Sequence, residues 1–206
     1  LLNSVVSALG SLSVGLFSVL FISFFFMKDS TLLMNAILTI LPSKSEKKFS
    51  NTTETINNLL SRYFIGLVLQ ITILFVIYTI TLFIFGIHNA IVIAFLCALL
   101  NLIPYIGPMI GAVIMFLLSM SSNLGQNFQT EILPTTLYVM IGYFIAQIID
   151  NFVSQPLIFS KTTKSHPLEI FLIIIIGGLL FGVVGMITAV PFYTAIKVIL
   201  KEFLAD

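Results

Sequence analysis

Tyr143, Gln147, Asn151 and Gln155 recur at intervals of four, which places one phenol and three amides along one side of a helix, with Asp150 and Ser154 beside them. Phenols and amides donate and accept hydrogen bonds without carrying charge, so such a stripe can handle a polar solute. A carboxylate among them can hold a proton or a cation. Asp150 is the sole acid inside a segment read as a full, unbroken span, where an ionisable group is costly and by default marks an ion or substrate path. It stands near the end of its segment, so a second reading, a carboxylate that only reaches the lipid headgroups, stays open beside the first.

A second constellation is the stretch NLIPYIGPMIG, residues 101–111, where Asn101, Pro104, Tyr105, Gly107 and Pro108 crowd together just before Gly111. The prolines remove backbone donors and fix φ, and the glycines let neighbouring backbones approach. Inside lipid every unpaired N–H or C=O is costly, so a break of this kind survives only against protein or a water-filled cavity. Interrupted segments also expose helix ends whose partial charges can meet a solute or ion. The competing reading is a proline kink that merely tilts a helix. Further on, His166 and Glu169 in SHPLE could form a gate or could simply cap the helix that Pro167 begins. Gly177, Gly178, Gly182 and Gly185, followed by Pro191, supply either another break or a small-residue packing surface through the Gly178–Gly182 spacing.

Other chemistry finds no support. The single cysteine, Cys97, sits in an apolar run as a small packed side chain, and two histidines stand far apart. HExxH and GxSxG patterns are missing, so the expectation is no catalytic residue, no metal site and no cofactor, hence no enzyme. Net charge is +1, without a basic arm, which excludes a nucleic-acid partner.

The elements that must hold these residues are set by composition. Nine basic and eight acidic side chains in 206 residues cannot clothe a water-facing surface, hydrophobic residues make up 59%, and mean hydropathy is +1.16. The chain belongs in lipid. Its fold class is an all-α integral membrane protein, a polytopic helical bundle with two Pro/Gly-broken hairpins, and residues 1–206 form a single transmembrane domain. Within it, 1–27 is a transmembrane helix, 28–62 an amphipathic cytoplasmic region, read either as two surface helices broken near Pro42 or as a solvated connector, and 63–206 the transport core. In that core 63–85 spans the bilayer, 91–103 and 109–120 are each too short to do so, 134–153 spans, and 167–205 is broken at its glycines. Lys28, Lys44, Lys47, Lys48 and Arg62 place 28–62 in the cytoplasm, whereas 121–133 has no Lys or Arg. Lys161, Lys164, Lys197 and Lys201 fit the cytoplasm only if 91–120 dips in from outside and returns, and 168–203 does the same from inside. Crossing as tilted helices is the alternative for each.

The blocks FFFMKD, RYFIG (62–66), NLIPYIGPMIGA (101–112), QIIDNFVSQPLIFSK (147–161) and HPLEIF followed by GGLLFGVVGMITAVP (166–191) resemble, in order, the signatures of the autoinducer-2 exporter family, the PerM-like permeases. Where that family usually carries a Gly-Gln pair after its RY block, this chain has Gly66 and Leu67. The resemblance implies an oligomeric permease of a bacterial inner membrane that exports small molecules, autoinducer-2 among them. It also implies sodium or lithium exchange for protons in some relatives, and a chain truncated at its N-terminus relative to the family. The expected partners are the lipid bilayer, further copies of the chain, and a small polar solute or monovalent cation. A non-transporting membrane scaffold is the remaining alternative.

Overall fold

The computed structural model describes residues 2–29, 39, 43–122, 125–154 and 165–204. Six helices make up the regular structure among them: α1 (Leu2–Lys28), α2 (Ser43–Ile84), α3 (Ala90–Leu100), α4 (Ile106–Ser122), α5 (Leu133–Ile149) and α6 (Pro167–Leu204). Single π-helical turns, Phe128–Ile132 and Asp150–Ser154, extend α5 at either end. Three stretches are long and apolar enough to cross a bilayer, Glu46–Ile84, Phe128–Ser154 and Pro167–Leu204, so the protein is an all-α membrane protein. The chain divides into two compact units, Leu1–Asn51 and Thr52–Asp206.

In the first unit α1 presents its phenylalanines as a ladder, Phe17 and Phe21 at 5.8 Å and Phe21 and Phe25 at 4.7 Å between ring centroids. These are neighbours one helical turn apart. The stretch expected as a second surface helix before residue 62 is instead continuous with the span, because 43–85 contains no proline and one glycine, Gly66, so nothing stops helix propagation. The Pro42 break itself lies outside the described residues.

In the second unit α2 and α5 run antiparallel. Phe85 stacks on Tyr138 at 5.7 Å, a Cβ on Gly142 would meet the Thr81 methyl, Tyr78 stacks on Tyr143 at 5.1 Å, and Gln70 bonds Asp150. Leu74, Tyr78, Leu82, Cys97, Val139 and Tyr143 are wholly or almost wholly buried at this seam.

Helices α3 and α4 form a hairpin. Pro104 brings no N–H, and α3 closes in tight i→i+3 bonds from Asn101 to Ala98 (3.2 Å), Leu102 to Leu99 (3.0 Å) and Ile103 to Leu100 (3.1 Å). Tyr105 then takes φ 65°, which reverses the chain. Any side chain on Gly107 would collide with the Leu100 carbonyl, so this turn requires glycine there. At the open end the His88 N–H donates to Ser122 Oγ at 2.7 Å, tying the two termini together.

Helix α6 is also a hairpin. At Gly182 the backbone takes φ 62° and ψ −145°, a conformation that only glycine adopts readily. The arms return in contact: Gly177 packs on Gly185, and Gly178 on Met186. At the base Lys197 Nζ reaches Ser165 Oγ at 2.6 Å and Glu169 Oε2 at 3.2 Å. The packing partner of Gly177 is therefore Gly185 across the turn. Gly182 is surrounded by open space and serves the reversal, which separates two roles that the Gly178–Gly182 spacing had merged. Tyr63 and Leu67 of α2, Ile103 at the α3–α4 turn, and Ile170, Ile174 and Val190 of α6 form a second buried cluster.

Candidate functional site

The site grows from the place where α3 stops. The Asn101 N–H turns back to Ala98, and Asn101 Nδ2 donates to the Cys97 carbonyl at 2.8 Å. That leaves Asn101 Oδ1 as an acceptor, and Gln147 Nε2 of α5 donates to it at 3.1 Å. The same Nε2 lies 2.8 Å from Tyr78 Oη and 3.1 Å from Tyr143 Oη. Tyr143 Oη in turn donates to the Pro108 carbonyl at 2.7 Å. All of these side chains are buried. The cluster thus joins α2, the broken α3–α4 turn and α5 through amide and phenol groups. Polar groups in an apolar interior are costly unless paired, and this network pairs the donors of Asn101, Tyr143 and Gln147. Gly111 belongs to it sterically, since a Cβ there would stand 2.8 Å from Tyr143 Oη.

Asp150 is 1% exposed, and Gln70 Nε2 donates to its Oδ2 at 2.8 Å. Gln70 lies seven residues into the span from Tyr63, roughly 10 Å along the helix axis. Asp150 is therefore enclosed between α2 and α5 and directed at an amide inside the bundle.

Beside the network lies a groove of ≈ 500 Å³. Tyr105, Pro108, Met109 and Ala112 line it from the turn and α4; Tyr143, Phe144, Gln147 and Asn151 line it from α5. Among the described residues that line it none is charged, so its polar character comes from amides, phenols and the ends of a broken helix.

Most of the expected site residues converge here: Asn101, Gly107, Pro108, Tyr143 and Gln147 in or against the network, Tyr105 and Asn151 on the groove. Pro104 is half-buried in the turn. The polar stripe shifts, however. Successive steps of four advance about 40° around an α-helix, so the buried face follows alternating steps of four and three. Tyr143, Gln147, Asp150 and Ser154 are buried, and Asn151 is exposed toward the groove. Gln155 lies outside the described residues.

The gate candidates sit apart from the groove. His166 acts as a cap: its Nδ1 accepts from the Leu168 N–H at 3.3 Å and its carbonyl from the Glu169 N–H at 2.9 Å. Glu169 Oε2 instead joins the arms of α6, accepting from Tyr193 Oη at 2.5 Å and pairing with Lys197 at 3.2 Å. Pro191 is buried in the return arm. Sequence reasoning passed over Gln70 and Tyr78 on α2 and Tyr193 and Lys197 on α6. Each pair had a usable signal: 70 and 78 are two helical turns apart on one face, and 193 and 197 one turn apart.

Residues 1–205 match the family described as "AI-2E family transporter". Similar curated proteins include "Putative transport protein YrrI" of Bacillus subtilis (strain 168), 32% identical over 89% of this chain and 50% of its own length. "Putative transport protein YueF" of the same organism is 27% identical over 95% and 51%. "Putative permease PerM" of Escherichia coli (strain K12) is 27% identical over 97% and 55%. The chain thus spans about half the length of these relatives. No solved structure matches it. With a match that runs from its first residue to its penultimate one, the chain belongs to the AI-2E transporter family.

Proposed function

We propose that this chain is the membrane core of a secondary transporter that exports a small polar solute, such as autoinducer-2, across a bacterial inner membrane. The observation that carries this reading is the uncharged groove of ≈ 500 Å³ opened where α3 and α4 break, with Gln147 and Tyr143 on its wall. Asn101, Pro104, Tyr105, Gly107, Pro108, Tyr143, Gln147 and Asn151 are its pathway residues, and Gln155 is a further candidate on its sequence spacing alone. Asp150, held by Gln70, couples transport to protons. The α3–α4 hairpin enters from outside and the α6 hairpin from the cytoplasm, and rocking of one against the other alternates access. The glycines 177, 178, 182 and 185 with Pro191 shape the second hairpin, and the Glu169–Lys197 pair with the His166 cap closes its base. Residues 1–27, 28–62 and 63–206 act as one transmembrane domain, and copies of the chain associate in the membrane.

A second reading, exchange of sodium or lithium for protons, draws on the burial of Asp150. Flux in vesicles carrying the full-length protein, compared between wild type, Asp150→Asn and Pro104→Ala, tests both. Solute export requires that flux fall in both variants and that its pH dependence vanish in Asp150→Asn. Sodium-dependent flux without any solute would favour exchange. Unchanged flux in both variants removes these residues from the mechanism.

A further inference from the structure

We infer that the groove is a hydrogen-bond acceptor for an uncharged, hydroxyl-bearing solute, with the Gln147 carbonyl as the accepting group and Asn101 and Tyr78 as the positioning residues that fix its direction. This rests on the reading of the groove as the solute site. An amide can present either end to a ligand, and its shape does not decide which. Here a relay of bonds decides it. Asn101 Nδ2 is committed to the Cys97 carbonyl, so its Oδ1 faces Gln147. Reversing the Gln147 amide would set two carbonyl oxygens about 3.1 Å apart with no proton between them, a repulsive arrangement. The proton of Tyr143 is spent on the Pro108 carbonyl, so toward Gln147 that phenol only accepts. The two N–H groups of Nε2 are shared among the three oxygens of Asn101, Tyr143 and Tyr78, of which Tyr78 provides the shortest contact, 2.8 Å.

Gln147 Nε2 is thus turned inward among three oxygens. Its Oε1 makes no hydrogen bond among the described residues, and it is the polar atom this side chain has left for the groove that it lines. A carbonyl selects donors. An anion would meet it with no Lys, Arg or His among the described lining residues to compensate. A bare cation would need a carboxylate or a cage of several oxygens, whereas Gln147 offers a single carbonyl and Asp150 is engaged with Gln70 instead of lining the groove. Hydroxyl groups on an uncharged solute fit, and the Phe144 and Met109 surfaces accommodate its carbon skeleton.

The test uses the full-length protein in liposomes, free of cysteine except for Met109→Cys at the exposed edge of the groove. The rate at which an uncharged maleimide labels that thiol is measured with ribitol, with its penta-O-methyl ether, which keeps the oxygens and loses the donors, and with ribitol 5-phosphate. Ribitol is expected to slow labelling, and the other two are not. Tyr78→Phe, which removes only a hydroxyl, is expected to weaken ribitol protection about three- to tenfold, the loss of one neutral hydrogen bond, with the labelling rate in the absence of solute unchanged. Gln147→Leu is expected to abolish protection. Equal protection by ribitol and its ether, full protection in Gln147→Leu, or no protection by ribitol in the parent protein would each overturn the inference. Vesicle flux measured on the same protein separates the two claims: flux without ribitol protection leaves transport standing and removes the acceptor groove, and protection without flux does the opposite.

Discussion

Tyr143 uses its hydroxyl in both directions, donating to the Pro108 carbonyl at 2.7 Å and accepting from Gln147 at 3.1 Å, and thereby ties the start of α4 to the middle of α5. Tyr143→Phe would leave the Pro108 carbonyl short of its partner, while the two N–H groups of Gln147 keep Asn101 and Tyr78, at a cost on the order of 1 kcal/mol. Thermal unfolding in detergent should record a lower midpoint for that variant, and Tyr143→Leu should fall further because it also loses the ring stacked 5.1 Å from Tyr78. Asp150 announces itself in the sequence because a carboxylate in an apolar run has so few precedents. Gln70 and Tyr78 do not, since an amide or phenol in a long apolar helix is unremarkable until the facing helix is known. The i+4 spacing singles out Tyr143, Gln147 and Asn151 on one helix, and helical drift sorts the residues of that helix between two faces. Asp150 and Ser154 turned inward and Asn151 turned to the groove.

At the scale of the elements, two helices reverse direction by different means. The α3–α4 turn relies on Pro104, the positive φ of Tyr105 and the absence of a side chain at Gly107; α6 relies on one backbone conformation at Gly182. Substitutions separate backbone strain from packing. Gly182→Ala meets no atom within 4 Å and should cost about 1–3 kcal/mol through backbone strain alone. Gly185→Ala meets the Gly177 carbonyl and should push the arms apart, an overpacking cost of about 1–3 kcal/mol as well. A disulfide between Ser165→Cys and Lys197→Cys should restore stability to Gly185→Ala by holding the base closed, and should do little for Gly182→Ala. The crowding of proline and glycine made both breaks legible. Which glycine turns and which packs was not, because the two roles differ only in φ and in what lies opposite. The continuity of α2 through residue 62 was missed for a related reason: a shift from polar to apolar composition marks where water ends, whereas a helix ends only where its backbone is interrupted.

Across the whole molecule, the scarcity of charge is what organises the chain, with Lys and Arg gathered at residues 28–62, 161–164 and 197–201. The proposed topology puts Gln126 outside and Lys201 in the cytoplasm. A membrane-impermeant thiol reagent applied from outside should label Gln126→Cys and spare Lys201→Cys, and the reverse pattern would invert every orientation given above. Transport through the groove is the larger claim, and blocking the groove tests it most directly. Full-length protein carrying Met109→Cys in a cysteine-free background is reconstituted, solute flux is measured, the thiol is labelled to completion, and flux is measured again. Leu179→Cys, at the 82% exposed tip of α6, serves as the control. Flux should stop when position 109 is occupied and persist when position 179 is; undiminished flux through a fully labelled groove would contradict the account.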